Sequence, residues 1–169
     1  MSINVFFAAV LGLMMGMYFY FTPTYPSDRQ TREIPQIQLY TFTLYEISKN
    51  GVDHILEGED GKKFENRYEV TSAKFSDNTK SLFQSIQAEN MDYQKDVVRL
   101  KANVLYHRAD GLEFRSNEGQ YDTKASLITT KGAFVITQNG NRVEGEHLYY
   151  NTEQKTVSAD AVRGSYQLK

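Results

Sequence analysis

The chain contains no cysteine, which excludes disulfides, zinc knuckles and thiol nucleophiles. It has no tryptophan and only 3 prolines, all of which fall within residues 22–35. Neither sign of charge dominates: 19 Lys and Arg oppose 21 Asp and Glu, and the net charge of −2 argues against a strongly basic nucleic-acid binder. What is present is a chain of 169 residues, enough for one modest domain, with 12 Tyr and 10 Phe.

Residues 3–21 form the one long apolar run, and it has no charged side chain. As a helix it would span about 28 Å, close to the hydrocarbon thickness of a bilayer. A cleaved signal peptide has a shorter apolar core and small residues before the cleavage site, whereas this run ends in bulky rings. A buried core helix would have a polar face, which is lacking. We therefore predict a transmembrane helix anchor at residues 1–21, whose orientation the flanking charges do not define.

The remaining chain divides into a linker and a β domain. Residues 22–35 combine the prolines with charges and Ser, which predicts an extended linker. In residues 36–169 period-two alternation replaces helical periodicity, most clearly in residues 98–106. Turn signals such as Asp110-Gly111 and Asn139-Gly140 separate the alternating runs. The expected fold class is all-β, with antiparallel strands joined by short turns.

A weak repeat runs through the β domain. In each unit an aromatic residue closes a strand, a polar turn follows, and an aliphatic residue opens the next strand; residues 75–82, 121–128 and 150–157 are three copies. A unit this small cannot bury its own apolar face, so the units must stack as a curved sandwich, a jelly roll or a β-solenoid. Such a stack ends in unpaired edges that can accept a partner strand.

Little in the sequence indicates catalysis. His54, His107 and His147 lack the spacing of metal ligands, and no acid/base dyad, nucleophile elbow, phosphate loop or dinucleotide motif occurs. We expect these histidines to be surface strand residues, and we expect no enzyme, no metal site and no cofactor. Arg99 and Lys101 could meet anionic head groups, although a solvated strand face is the simpler explanation.

The interior of the β domain allows two arrangements. A closed sandwich would pack the alternating apolar residues as a core, and the alternation alone favours this. An open one would line a groove for acyl chains, at about 0.8 kcal/mol per buried CH₂. The interior candidates are Val70, Phe75, Ile86, Val98, Leu100, Val104, Tyr106, Phe114, Tyr121, Ile128, Phe134, Ile136, Val143, Leu148, Tyr150 and Val157.

An N-terminal span, a short polar linker and one repetitive β domain without cysteine together resemble the LptC family. Members of this family are single-span components of the lipopolysaccharide export machine of Gram-negative bacteria. Residues 140–151 and 162–166 look like the family's final strands, and residues 102–104 and 119–122 resemble family strand and turn positions. The motifs are degenerate one by one, so their order and spacing carry the match. Residues 22–63 resemble the family only in their general type of sequence, so no family residue is assigned there.

The resemblance implies a β jelly roll of the LptA/LptC type, with open V-shaped antiparallel sheets, in the periplasm. The helix would sit in the inner membrane beside LptF and LptG, whose ATPase is LptB. Lipopolysaccharide would pass from this transporter through an apolar groove to periplasmic LptA, so the resemblance replaces the packed core with a groove. The lipid-binding residues would be Val104, Tyr106, Phe114, Tyr121, Phe134 and Ile136.

The resemblance also assigns the two edges of the domain. The C-terminal edge, about residues 158–168, would pair with LptA, and the N-terminal edge, about residues 37–47, would face the transporter. The partner-binding residues would be Gly145, Val162, Ser165 and Tyr166. A side chain at Gly145 would crowd a strand approaching another backbone.

Two rival interpretations remain. One is a membrane-anchored β scaffold that binds other proteins without lipid, which a fully packed interior would favour. The other is an anchored periplasmic enzyme, which histidines or carboxylates clustered around a pocket would favour.

Overall fold

A computed structural model describes residues 33–167. The predicted anchor at residues 1–21 and almost all of the predicted linker lie outside the described residues. Within the described part, no helix has the length and apolar character needed to cross a membrane. The strands are β1 (Ile37–Ser48), β2 (Gly51–Lys63), β3 (Tyr68–Asp77), β4 (Gln84–Gln94), β5 (Val97–Arg108), β6 (Glu113–Asp122), β7 (Leu127–Thr129), β8 (Ala133–Gln138), β9 (Asn141–Asn151) and β10 (Thr156–Ser165).

These ten strands form a single antiparallel sheet. The spatial order is β1-β2-β3-β4-β5-β6-β7-β9-β10, and β8 shares with β7 the place between β6 and β9. The expected all-β, antiparallel fold is confirmed, and its connectivity is a meander. Among the described strands, β1 pairs only with β2 and β10 only with β9, so both edges of the sheet are unpaired.

The sequence repeat corresponds to turns that are capped by side chains. Asp122 Oδ1 accepts the backbone N–H groups two and three residues further on, at 3.0 and 2.9 Å, and Asn151 Oδ1 does the same at 3.1 and 2.8 Å. Thr152 donates its backbone N–H and its hydroxyl to the Ser126 carbonyl, at 2.8 and 3.0 Å. The repeat therefore fastens one turn to the next.

Halfway along their length, several strands contain a non-glycine residue with a left-handed backbone. Such a residue interrupts the alternation of side chains, so that positions an odd number of residues apart reach the same face. β2 also brings two positions an odd number of residues apart to one ring, although none of its non-glycine residues has a positive φ: a Cβ at Gly58 would lie 2.8 Å from the Phe42 ring and a Cβ at Gly61 would lie 2.6 Å from it. We call the line of these left-handed residues the crease: Thr41, Ser72, Ala102, Asn103, His147 and Ala161, with φ between 44° and 60°.

One face of the sheet, which we call the inner face, carries a buried apolar cluster. Its buried cluster is Ala88, Leu100 and Val104, with Ile86, Met91 and Val98 packed against it. No large side chain among residues 33–167 is completely buried. A closed sandwich of this size would enclose large side chains on every side. The interior is therefore not sealed.

Candidate functional site: an open apolar inner face

Two rows of side chains cross the inner face from one edge of the sheet to the other. Residues paired across antiparallel strands point to the same face, so the strand register defines each row. The crease runs between the two rows. The apolar row consists of Leu44, Leu56, Phe75, Ile86, Tyr106, Phe114, Ile136, Val143 and Gly164. The tyrosine row consists of Ile37, Lys63, Tyr68, Tyr93, Val98, Tyr121, Ile128, Tyr150 and Val157.

All six predicted lipid-binding residues lie on this inner face. Three of them belong to the apolar row, and Tyr121 belongs to the tyrosine row. The other two, Val104 and Phe134, lie at the crease, where both pair with the same residue of β6. The rings of Phe114 and Phe134 stack with their centroids 6.1 Å apart. The structure brings the six residues onto one surface, and their contact with lipid stays a prediction.

The apolar side chains next to the crease are buried, whereas several apolar side chains near the ends of the strands are exposed. Val104 and Phe134 are 2% and 3% exposed, whereas Tyr93 and Val157 in the tyrosine row are 37% and 65% exposed. Tyr106, like the rest of the predicted set, is half-buried. Val104 and Phe134 thus form an apolar floor beside the crease, and the side chains further along the strands keep apolar surface in contact with solvent. Such a surface is suited to a flexible apolar ligand.

The inner face is polar at one end of the strands, which the sequence analysis did not predict. His54 Nδ1 lies 2.8 Å from Glu46 Oε2, and His54 Nε2 lies 3.5 Å from Asp77 Oδ1. The buried Asp77 accepts the Thr79 backbone N–H at 2.7 Å, the Thr79 hydroxyl at 2.6 Å and the Gln84 amide at 3.1 Å. We call these five residues the polar cluster. His54, predicted as a surface residue, is in fact half-buried between two carboxylates.

Hydrogen bonding decides the protonation state of Asp77. Burial alone would raise the pKa of Asp77, but the hydrogen bonds from Thr79 and Gln84 and the neighbouring His54 outweigh it and lower that pKa below its ordinary 3.8. Burial raises the pKa of Tyr106, so its hydroxyl remains a donor, to Gln84 Oε1 at 2.7 Å. Asp77 is therefore an anion at neutral pH, and a closed hydrogen-bond network bounds the apolar row at this end.

The other two histidines are more exposed and stand apart from this cluster. His107 Nδ1 lies 3.9 Å from a Glu113 oxygen, and His147 Nδ1 lies 3.1 Å from Asp160 Oδ2. In the part of the chain that the structure describes, no group of three His, Cys, Asp or Glu side chains could hold a metal ion.

The predicted partner-binding residues lie on or beside the C-terminal edge. A Cβ at Gly145 would lie 2.8 Å from the Phe134 ring and 3.1 Å from a carbonyl oxygen of β10, so the missing side chain makes room for both. Val162 and Tyr166 are 55% and 70% exposed, and Ser165, which ends β10, is exposed as well. Gly145 therefore lies behind the edge, the other three lie on it, and partner contact stays a prediction.

The chain is similar in part to known lipopolysaccharide assembly and transport proteins. The chain matches no protein-family profile. Over 79 residues it is 34% identical to the LPS-assembly protein LptD of Neisseria gonorrhoeae, and equally to that of Neisseria meningitidis serogroup A. The match covers 46% of this chain but only 10% of LptD.

The fold has a solved counterpart. The crystal structure of LptH, the LptA-homologous periplasmic component of the lipopolysaccharide transport device of Pseudomonas aeruginosa, superimposes with a TM-score of 0.52 at 12% identity. The superposition covers 78% of this chain and 94% of LptH. The chain therefore has an LptA-like fold.

Proposed function

We propose that this protein transports lipopolysaccharide by sheltering its acyl chains on the inner face of the sheet. One observation carries the proposal: the apolar row spans the sheet from β1 to β10, yet no large side chain among the described residues is completely buried. The LptA-like fold and the match to LptD support the same ligand. No bond is made or broken in this role, so the proposed function is non-catalytic.

The direction of the rows suggests how the ligand moves. The apolar row runs across the strands, so an acyl chain can move from β1 to β10 over a largely apolar surface. Each CH₂ group kept from water contributes about 0.8 kcal/mol. The sugars would remain in solvent beyond the ends of the strands. Transport along the sheet then needs no charged group to be buried.

The resemblance to LptC supplies the finer role. In this proposal residues 1–21 anchor the protein in the inner membrane as a single span, and the β domain lies in the periplasm. The domain accepts lipopolysaccharide from the LptB/LptF/LptG transporter at β1 and passes it to LptA at β10. Both strands have a free hydrogen-bonding side in the described structure, as strand addition requires.

A second candidate is a membrane-anchored scaffold that binds other proteins without lipid. The observation in its favour is the outer side of β1, where Tyr40 and Tyr45 are 71% and 60% exposed. Exposed aromatic side chains beside an unpaired edge are typical of protein–protein contacts.

Photo-crosslinking separates the two candidates. A photoreactive residue at Phe114, on the inner face, should capture lipopolysaccharide, whereas one at the adjacent Arg115, whose side chain is 65% exposed on the outer face, should not. Equal capture at both positions, or capture of protein alone at Phe114, would contradict lipid transport and favour the scaffold.

A further inference from the structure

The inner face has two walls, one on each side of the crease, and the walls end differently at the tips of the strands. We call them the apolar wall, which carries the apolar row, and the tyrosine wall, which carries the tyrosine row. Beyond the apolar row, the strand register aligns His54, Asp77, Gln84 and Arg108 as a further inner-face row. The apolar wall therefore ends in polar and charged side chains, whereas the tyrosine wall ends in phenol rings.

The polar groups at the end of the apolar wall bind one another. The polar cluster is hydrogen-bonded internally, and Tyr106 donates its hydroxyl to Gln84. Arg108 donates two hydrogen bonds to the Asp110 carboxylate, at 2.9 and 2.8 Å, and the Gln138 amide donates to the same carboxylate at 3.0 Å. A polar ligand would have to displace an internal partner to bind these groups, so they attract it little.

The tyrosine wall carries hydroxyl groups that the protein itself does not use. Tyr68 begins β3, and Tyr121 and Tyr150 each lie one residue before the end of their strand. Among residues 33–167, these three hydroxyls have no hydrogen-bond partner, whereas the Tyr93 hydroxyl lies 3.4 Å from Asp96 Oδ1. In the same part of the chain, no tyrosine of this row has a hydroxyl that is both enclosed and unpaired, so the Tyr121 and Tyr150 hydroxyls reach solvent.

Tyrosine is suited to the boundary between an apolar and a polar region. Its ring packs against hydrocarbon, and its hydroxyl both donates and accepts hydrogen bonds. Ile128 lies between Tyr121 and Tyr150 in the row, and two strand spacings correspond to about 10 Å. The tyrosine wall therefore combines a largely apolar surface with hydroxyl groups repeated across the sheet.

We infer that the tyrosine wall contacts the saccharide of the transported lipid, while the acyl chains lie against the apolar wall. The inference rests on the proposed function and adds which wall takes which part of the ligand. A saccharide is rich in hydroxyl groups, which exchange hydrogen bonds with the tyrosine hydroxyls, and the apolar faces of its rings pack on the phenol rings. At the end of the apolar wall, the same saccharide would meet groups that already have partners.

Photo-crosslinking followed by alkaline hydrolysis tests this assignment. In the full-length chain, produced in a Gram-negative bacterium, a photoreactive phenylalanine analogue replaces either Phe114 on the apolar wall or Tyr121 on the tyrosine wall. Alkali cleaves the ester-linked acyl chains of lipopolysaccharide from its saccharide. Adducts at Phe114 should therefore lose most of their saccharide, whereas adducts at Tyr121 should keep it. The neighbouring Gln120, on the outer face, is the matched control and should give no adduct.

The outcomes of this experiment separate the inference from the proposed function. Adducts at Tyr121 that lose their saccharide, an absence of adducts there, or adducts at Phe114 that keep their saccharide would overturn the inference. Capture of lipopolysaccharide at Phe114 would still support transport in each of these cases. An absence of lipopolysaccharide at both positions would overturn the proposed function together with the inference.

Removal of hydroxyl groups alone provides a second test with little risk to folding. Tyr121→Phe combined with Tyr150→Phe keeps both rings, and the affinity of the purified full-length protein for lipopolysaccharide should fall about tenfold. Tyr40→Phe combined with Tyr149→Phe removes two hydroxyls from exposed outer-face rings and should leave the affinity unchanged. Unchanged affinity of the first variant, or an equal loss in both, would overturn the contact between saccharide and tyrosine wall.

Discussion

An aromatic ring lies on glycine near each edge of the sheet, but the two rings belong to differently placed strands. At the N-terminal edge, Phe42 belongs to the edge strand itself and covers Gly58 and Gly61 of β2. At the C-terminal edge, Phe134 belongs to β8 and covers Gly145 of β9. β1 therefore contributes the ring that packs against its neighbouring strand, whereas β10 has no such ring and depends on packing between β8 and β9. The difference suggests a firmly held N-terminal edge and a more adaptable C-terminal one.

Among the substitutions that test this difference between the edges, Gly145→Arg should lower the stability most. The new side chain must displace the Phe134 ring and push on β10, which should lower the free energy of unfolding by about 3 kcal/mol. Hydrogen exchange should speed up in β9 and β10 as the edge deforms, while circular dichroism still shows a β fold. Gly132→Arg is the control, because nothing lies within 4 Å of a Cβ there. An unfolded spectrum for Gly145→Arg, or equal losses in both variants, would show that Gly145 does not act through the edge.

Phe42→Ala tests whether the Phe42 ring holds β1 against β2. Loss of the half-buried ring should cost about 2 kcal/mol of stability. Hydrogen exchange should speed up in β1 and β2 and remain slow in β9. Tyr40→Ala removes a ring that is 71% exposed from the same strand and should change exchange little. Uniform acceleration across the sheet would mean that the ring supports the whole fold rather than the edge.

Asp77→Asn should have a smaller effect, of about 1.5 kcal/mol, because a carboxylate with several hydrogen bonds and a neighbouring His54 is replaced by a neutral amide. The lowered pKa fixes the sign of the pH dependence. The stabilisation by Asp77 is fully present above its ordinary pKa of 3.8 and is lost as the pH falls through the lower folded value.

Thermal unfolding of both proteins as a function of pH checks this prediction. The difference between wild type and Asp77→Asn should be constant at neutral pH and should shrink below about pH 4. A difference that grows on acidification would reverse the predicted sign.

Asp160→Asn should have the smallest effect. Asp160 pairs with His147 between β10 and β9, but both side chains are more than half exposed, so the loss should be about 0.5 kcal/mol or less. Added salt should abolish it. Glu153→Gln, in the exposed turn before β10, is the matched control. A larger loss that persists at high salt would mean that this pair, rather than the strands behind it, holds the C-terminal edge.

The sequence allowed the strands, their turns and the inner face to be predicted, because alternation and Asx turns are local signals. It could not reveal the crease, since nothing about Thr41 or Ala161 predicts a left-handed backbone outside a folded sheet. The polar cluster was missed for a related reason. Glu46, His54 and Asp77 become neighbours only through strand register. Alternation also shows which side chains share a face, but not whether another layer covers it.

The meander has a consequence for how the domain folds. Strands pair almost only with their neighbours in the chain, so the contact order of the described sheet is low for an all-β protein. The hairpins can form one after another along the chain. No final step has to pair the first strand with the last. A partly synthesised chain would already present a shorter version of the same surface, and its growing end would resemble the finished edge.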